Sequence, residues 1–193
     1  MAPVSQIKIS ISFWAVAVFG AAICVDRAAV FFLLCAVIHE LGHLFACLLV
    51  KAQIQAFHLT LFGFGITKSP VSSHREIFIA AAGPLLGLIL AAAAFILGHQ
   101  QVGVLSLILS AVNLTPVPPL DGDRILREIL SPRAIFAVNI SAIVILFGIG
   151  IFSAIKHFNF TLILFACLML CWFFGKYTQT ISVKMFPLID QNT

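Results

Sequence analysis

The chain has 193 residues, 62% hydrophobic and 9% charged, with a net charge of +4 and a mean hydropathy of +1.15. A water-soluble domain of this size has no interior large enough to hide that much apolar surface. Its apolar runs are continuous, which excludes a barrel of alternating strands and leaves an all-α integral membrane protein.

Six transmembrane helices are predicted, at about 8–25, 29–50, 76–97, 102–116, 133–155 and 160–176, in a single polytopic domain covering 1–193. The N-terminal run lacks a cleavage site of small residues and reads as a retained span, not a signal peptide. Basic residues fix the expected orientation. With the N-terminus inside, Lys8, Lys51, Lys68, Arg75, Arg124, Arg127, Arg133, Lys176 and Lys184 are cytoplasmic, and only Arg27 and Lys156 lie outside. That asymmetry predicts a multi-pass cell-membrane protein with both termini cytoplasmic. No aromatic-interleaved basic cluster supports a nucleic-acid partner. The cysteines lie mostly in apolar spans (Cys35, Cys47, Cys167, Cys171) and read as packing residues, not as a disulfide framework.

The second span, Ala29 to Val50, holds His39-Glu40-Leu41-Gly42-His43. Ionisable side chains in such a segment are costly and by default mark function. Residues four apart share a helix face, so His39 and His43 can present two imidazoles to one metal ion, with Glu40 beside them to act on a water. A catalytic zinc commonly takes three protein ligands and keeps one position open.

Between the second and third spans, Gln53 to Ile66 has β-branched, aromatic and glycine residues without helical period. It is expected to form a short membrane-associated strand or hairpin whose edge an extended substrate could extend; an interfacial loop is the alternative. Ser73 to Glu76 has capping-box spacing before the third span, and Gly83-Pro84 and Gly87 within it permit close approach of another backbone. The fourth span is short and meets Pro116, Pro118 and Pro119, which forbid further helix. Helical rise places that break and His43 at similar depth from the cytoplasmic edge, so Asp121 is the expected third ligand. Asp123 is the nearest competitor, read as a helix cap paired with Arg124 or Arg127. Asn113 is a candidate donor to an oxyanion or to substrate backbone, against a helix-packing role. Ser131-Pro132 opens the fifth span, and Asn159 can cap the sixth. His58, His74, His99 and His157 fall in connections and are weak candidates.

Taken together, HELGH at 39–43 and NLTPVPPLDG at 113–122 resemble the two motifs of the site-2 protease family of intramembrane zinc metalloproteases. Ala82-Gly83-Pro84-Leu85 looks like the family's third-span element, and Gly63-Phe64-Gly65 is similar to the GxG of a re-entrant loop that binds extended substrate. The resemblance implies a zinc endopeptidase with one Zn²⁺ per chain, held by His39, His43 and Asp121, with Glu40 catalytic. It implies substrate contacts at Asn113, Gly63, Phe64 and Gly65, and cleavage of a membrane-embedded or membrane-tethered protein near the cytoplasmic face. The series of motifs is most similar to the sporulation branch of the family, which releases a membrane-tethered pro-sigma factor. Asp123 departs from the glycine many members have there. No PDZ or CBS domain is expected, so regulation is expected to come from partner membrane proteins. An inactive membrane scaffold that keeps the zinc, a zinc transporter, and a CAAX-type protease with a glutamate as third ligand are the rival readings.

Overall fold

The computed structural model describes residues 6–9, 27–60, 63–158 and 160–185. Most of the predicted first span, 8–25, therefore lies outside the described residues, as does the Asn159 cap. The chain divides into two compact units, Met1–Leu114 and Thr115–Thr193.

The first unit contains β1 (Gln6–Ile9), α1 (Arg27–Leu49), β2 (Ile54–Thr60), β3 (Gly63–Lys68), α2 (Ser73–Ile96) and α3 (Gln100–Asn113). Residues 8 and 9, expected to begin a helix, are instead in strand β1. The pattern Gln6-Ile7-Lys8-Ile9 alternates polar and apolar, a strand period that the longer apolar run behind it masks. The sheet order is β1-β2-β3, with β1 parallel to β2 and β2 antiparallel to β3. α1 ends in a Schellman turn: Ala52 N donates to Cys47 O, Lys51 N donates to Leu48 O, and Lys51 adopts φ 55°. Beyond it, the sheet is tied to α2 by the Lys68–Glu76 ion pair. That pair replaces the expected capping box. Ser72, not Ser73, is the N-cap of α2, and no side chain caps it.

α1, α2 and α3 pack through small residues. The buried face of α2 includes Gly83, Gly87, Ala91 and Ala94, and that of α3 is Gly103, Ser106 and Ser110. Ser106 Oγ donates to Gly87 O at 2.7 Å. Lipid tails are as apolar as leucine, so close backbone approach and a few polar contacts hold membrane helices together. A methyl on Gly42 of α1 would lie 2.6 Å from the Ala82 carbonyl oxygen, so α1 and α2 touch almost backbone to backbone there.

The second unit contains α4 (Asp121–Arg127), α5 (Pro132–His157) and α6 (Thr161–Met185). Ser131 caps α5, accepting from Ala134 N at 3.4 Å with Pro132 in the first turn, as its sequence predicts. Val117, Ile143, Met169 and Phe173 form its buried apolar cluster, with Leu120 and Ile140 packed against it.

Among the described residues, three helices are long and apolar enough to cross a membrane: Val30–Leu49, Ser73–Ile96 and Pro132–His157. Gln100–Asn113 and Thr161–Gly175 are shorter apolar helices. The outward residues of α1 and α5, such as Leu33, Leu41, Phe45, Val144 and Phe152, are large, apolar and exposed. This is a membrane protein.

Candidate metal centre

In the first unit the two histidines lie one turn apart on α1 and are buried. His43 Nδ1 lies 2.8 Å from the Ile79 carbonyl of α2. A carbonyl only accepts, so Nδ1 carries the proton and donates it. The lone pair of His43 is then on Nε2, which lies 3.3 Å from His39 Nε2. Two nitrogens bound to one tetrahedral zinc at ~2.0–2.1 Å would be about 3.3 Å apart. The histidine pair thus has the separation that a shared zinc requires.

Gly83 leaves the space such an ion would use. A Cβ built on it would fall 2.8 Å from His39 Nε2 and closer still to His43 Nε2. The gap beside both Nε2 atoms therefore exists because residue 83 has no side chain. Glu40 follows His39 on α1 and is partly buried. Asn113, the last residue of α3, donates its Nδ2 to its own helix at Leu109 O, 2.9 Å away. Gly63, Phe64 and Gly65 begin β3 and pair with Thr60, Leu59 and His58 of β2.

In the second unit Asp121 is the first residue of α4 and is 6% exposed. Thr115 to Leu120 forms bends and turns, and the chain then re-enters a short helix. The helix forms because the prolines end at 119, while Asp121 and Asp123 favour its first turn and Arg124 and Arg127 its last. Arg124 donates to Asp121 Oδ1 at 3.0 Å. Asp123 is not the cap of this helix, a place held by Leu120. Its carboxylate is buried, accepting from Arg127 Nε at 2.6 Å and from Asn139 Nδ2 at 2.9 Å.

Two features escaped the sequence. Gly83 is visible there as a close-approach residue, but nothing says that imidazoles are what approach it. Asn139 does carry a signal in the sequence: it is the only amide in the apolar run of α5. Cys35 and Cys47 are buried packing residues, as expected. His74, His99 and His157 are exposed.

No family model matches the chain. A zinc metalloprotease of Methanocaldococcus jannaschii is 30% identical over 109 residues, covering 50% of this chain and 32% of that protein. A Synechocystis protein whose description assigns it provisionally to the zinc metalloproteases is 31% identical over 108 residues, covering 49% of this chain and 28% of its own length. The chain thus spans about a third of each of these relatives. Among solved structures, the site-2 protease from Methanocaldococcus jannaschii matches with a TM-score of 0.62 at 22% identity, covering 84% of this chain and 86% of that one. The fold is that of a site-2 protease.

Proposed function

We infer that this chain is an intramembrane zinc metalloendopeptidase of the site-2 protease family. One observation carries the reading: two imidazoles on an apolar helix hold their Nε2 atoms 3.3 Å apart, beside a gap that a glycine keeps open. The matched relatives, named as zinc metalloproteases, support it. His39, His43 and Asp121 are two imidazoles and a carboxylate, each buried, donors of the kind that zinc takes. We take them as the three ligands of one zinc.

Zinc bound there supplies a Lewis acid that polarises the scissile carbonyl and makes water acidic enough to attack near neutral pH. The chain's own residues do the rest. Glu40 accepts the proton of the attacking water and returns it to the leaving amine. Asn113 turns its amide from the Leu109 carbonyl to the substrate backbone. The β3 edge at Gly63, Phe64 and Gly65 receives the unwound substrate as an added strand, because a helical peptide bond is shielded by its own hydrogen bonds.

Six spans, both termini in the cytoplasm and a site nearer the cytoplasmic face complete the proposal, supported by the placement of the basic residues. The substrate class is a membrane-embedded or membrane-tethered protein. A pro-sigma factor is the instance suggested by the likeness of the motifs to those of stage IV sporulation protein FB. Partner membrane proteins are the proposed regulators.

The test is co-expression with single-span candidate substrates, comparing the parent with Glu40→Gln. Cleavage should fall about 100- to 10,000-fold, the usual contribution of a general base, while bound zinc stays at one per chain. A scaffold would show no cleavage in either protein. A transporter would show metal flux in proteoliposomes.

A further inference from the structure

α4 has seven residues, too few to persist as a helix without outside support. It nevertheless carries Asp121, so its place and its rotation must be fixed from elsewhere. The apolar contacts of Val117 and Leu120 with the cluster around Ile143 hold the approach to the helix. Such contacts are non-directional and do not select a rotation.

Two acid–base pairs lie along α4. Arg124 binds Asp121, and Arg127 binds Asp123. At 100° per residue, positions 121 and 123 project about 200° apart, to nearly opposite sides. Asp123 faces α5. It is 1% exposed, its Oδ2 accepts from Arg127 and its Oδ1 accepts from Asn139 Nδ2. Asn139 is fully buried, and its own Oδ1 has no hydrogen-bond partner among the described residues.

That last detail separates two explanations. An amide that leaves its own oxygen buried and unsatisfied gives back part of what its hydrogen bond contributes, so the pair adds little net stability. A directional pair is what a rotational stop requires. We propose that Asp123, seated on Asn139, is a positioning residue: the pair sets the rotation of α4 and so turns Asp121 to the side away from α5, ready to bind zinc. The proposal rests on the reading of Asp121 as the third ligand. Position 123, where the sequence departs from the commoner glycine, thereby acquires a role.

The test uses the full chain in detergent. Zinc affinity is measured by chelator competition, and the thermal midpoint is measured on the metal-free protein. Asn139→Leu leaves Asp123 Oδ1 without its amide donor, so the metal-free midpoint should fall by some degrees; zinc affinity, measured well below that midpoint, should fall about 10- to 100-fold, the usual cost of losing an outer partner of a ligand. The exchange Asp123→Asn with Asn139→Asp restores an amide facing a carboxylate and should recover most of that affinity. The Co²⁺-substituted protein adds a geometric readout: its visible bands should change in Asn139→Leu and return in the exchange.

Unchanged zinc affinity in Asn139→Leu overturns the proposal. So does a loss that follows the metal-free midpoint and is not recovered by the exchange, or failure of both variants to fold. Asp121→Ala distinguishes the two levels. If it abolishes zinc binding and Asn139→Leu does not, only the positioning role fails. If Asp121→Ala keeps its zinc, the ligand assignment fails first and the positioning role falls with it.

Discussion

The histidines and the aspartate are held by opposite means. In the first unit, His39 and His43 lie on a helix of 23 residues pressed against α2 at Gly42 and Gly83, where almost no side chain intervenes. Their geometry is steric: backbone meets backbone, and one carbonyl fixes the tautomer of His43. In the second unit, Asp121 opens a helix of seven residues whose setting is polar, with an arginine on its own carboxylate and a buried acid–amide contact two residues on. A long apolar helix in lipid can be positioned by shape alone. A short helix after a proline-rich turn cannot, and needs directional bonds.

The comparison breaks most completely at Gly83. Gly83→Ala places a methyl against both Nε2 atoms, with the α2 backbone behind it and little room to retreat. Overpacking of this kind costs about 1–3 kcal/mol in stability, but the larger effect falls on the metal, because the methyl takes the ion's place. Zinc content after dialysis should drop from one per chain to near zero, and cleavage with it. Retention of full zinc would mean that the ion sits elsewhere than beside the two imidazoles.

Arg124→Gln probes the polar side. The guanidinium holds Asp121 Oδ1 by a charge-assisted bond, the stronger kind. A glutamine can still donate but carries no charge, so zinc affinity should fall about 10-fold, at the weak end for an outer partner of a ligand. Chelator competition reads this directly. An unchanged affinity would make the arginine a mere surface partner, since its side chain is 34% exposed.

How much of this was legible follows the same division. The helices of the first unit were readable because long apolar runs and HELGH at helical spacing leave few alternatives. The cap at Ser131-Pro132 was readable because its chemistry is local. β1 was hidden inside a longer apolar run, and the capping-box spacing of Ser73 to Glu76 misleads because spacing cannot reveal that Glu76 is claimed by Lys68. The α4 helix and the burial of Asp123 were not legible for a different reason. Seven residues carry no usable period, and whether an aspartate caps a helix or pairs with an amide 16 residues away depends on tertiary packing. The partner of Gly83 is likewise long-range, 40 residues from His43. Motif chemistry is written locally in the chain; the contacts that aim it are not.

The gentlest change tests whether small-residue packing alone suffices in the first unit. Ser106 Oγ donates to the Gly87 carbonyl from a fully buried position, on the same stretch of α2 that carries Gly83. Ser106→Ala removes that bond and leaves the close approach of the helices intact. Hydrogen bonds between membrane helices contribute only about 0.6 kcal/mol on average. The thermal midpoint should therefore move by a few degrees at most, with zinc affinity unchanged. A loss of zinc in this variant would show that the register of α2 against α3 is set by one hydroxyl, and that the histidine side of the centre is held by directional bonds as much as the aspartate side is.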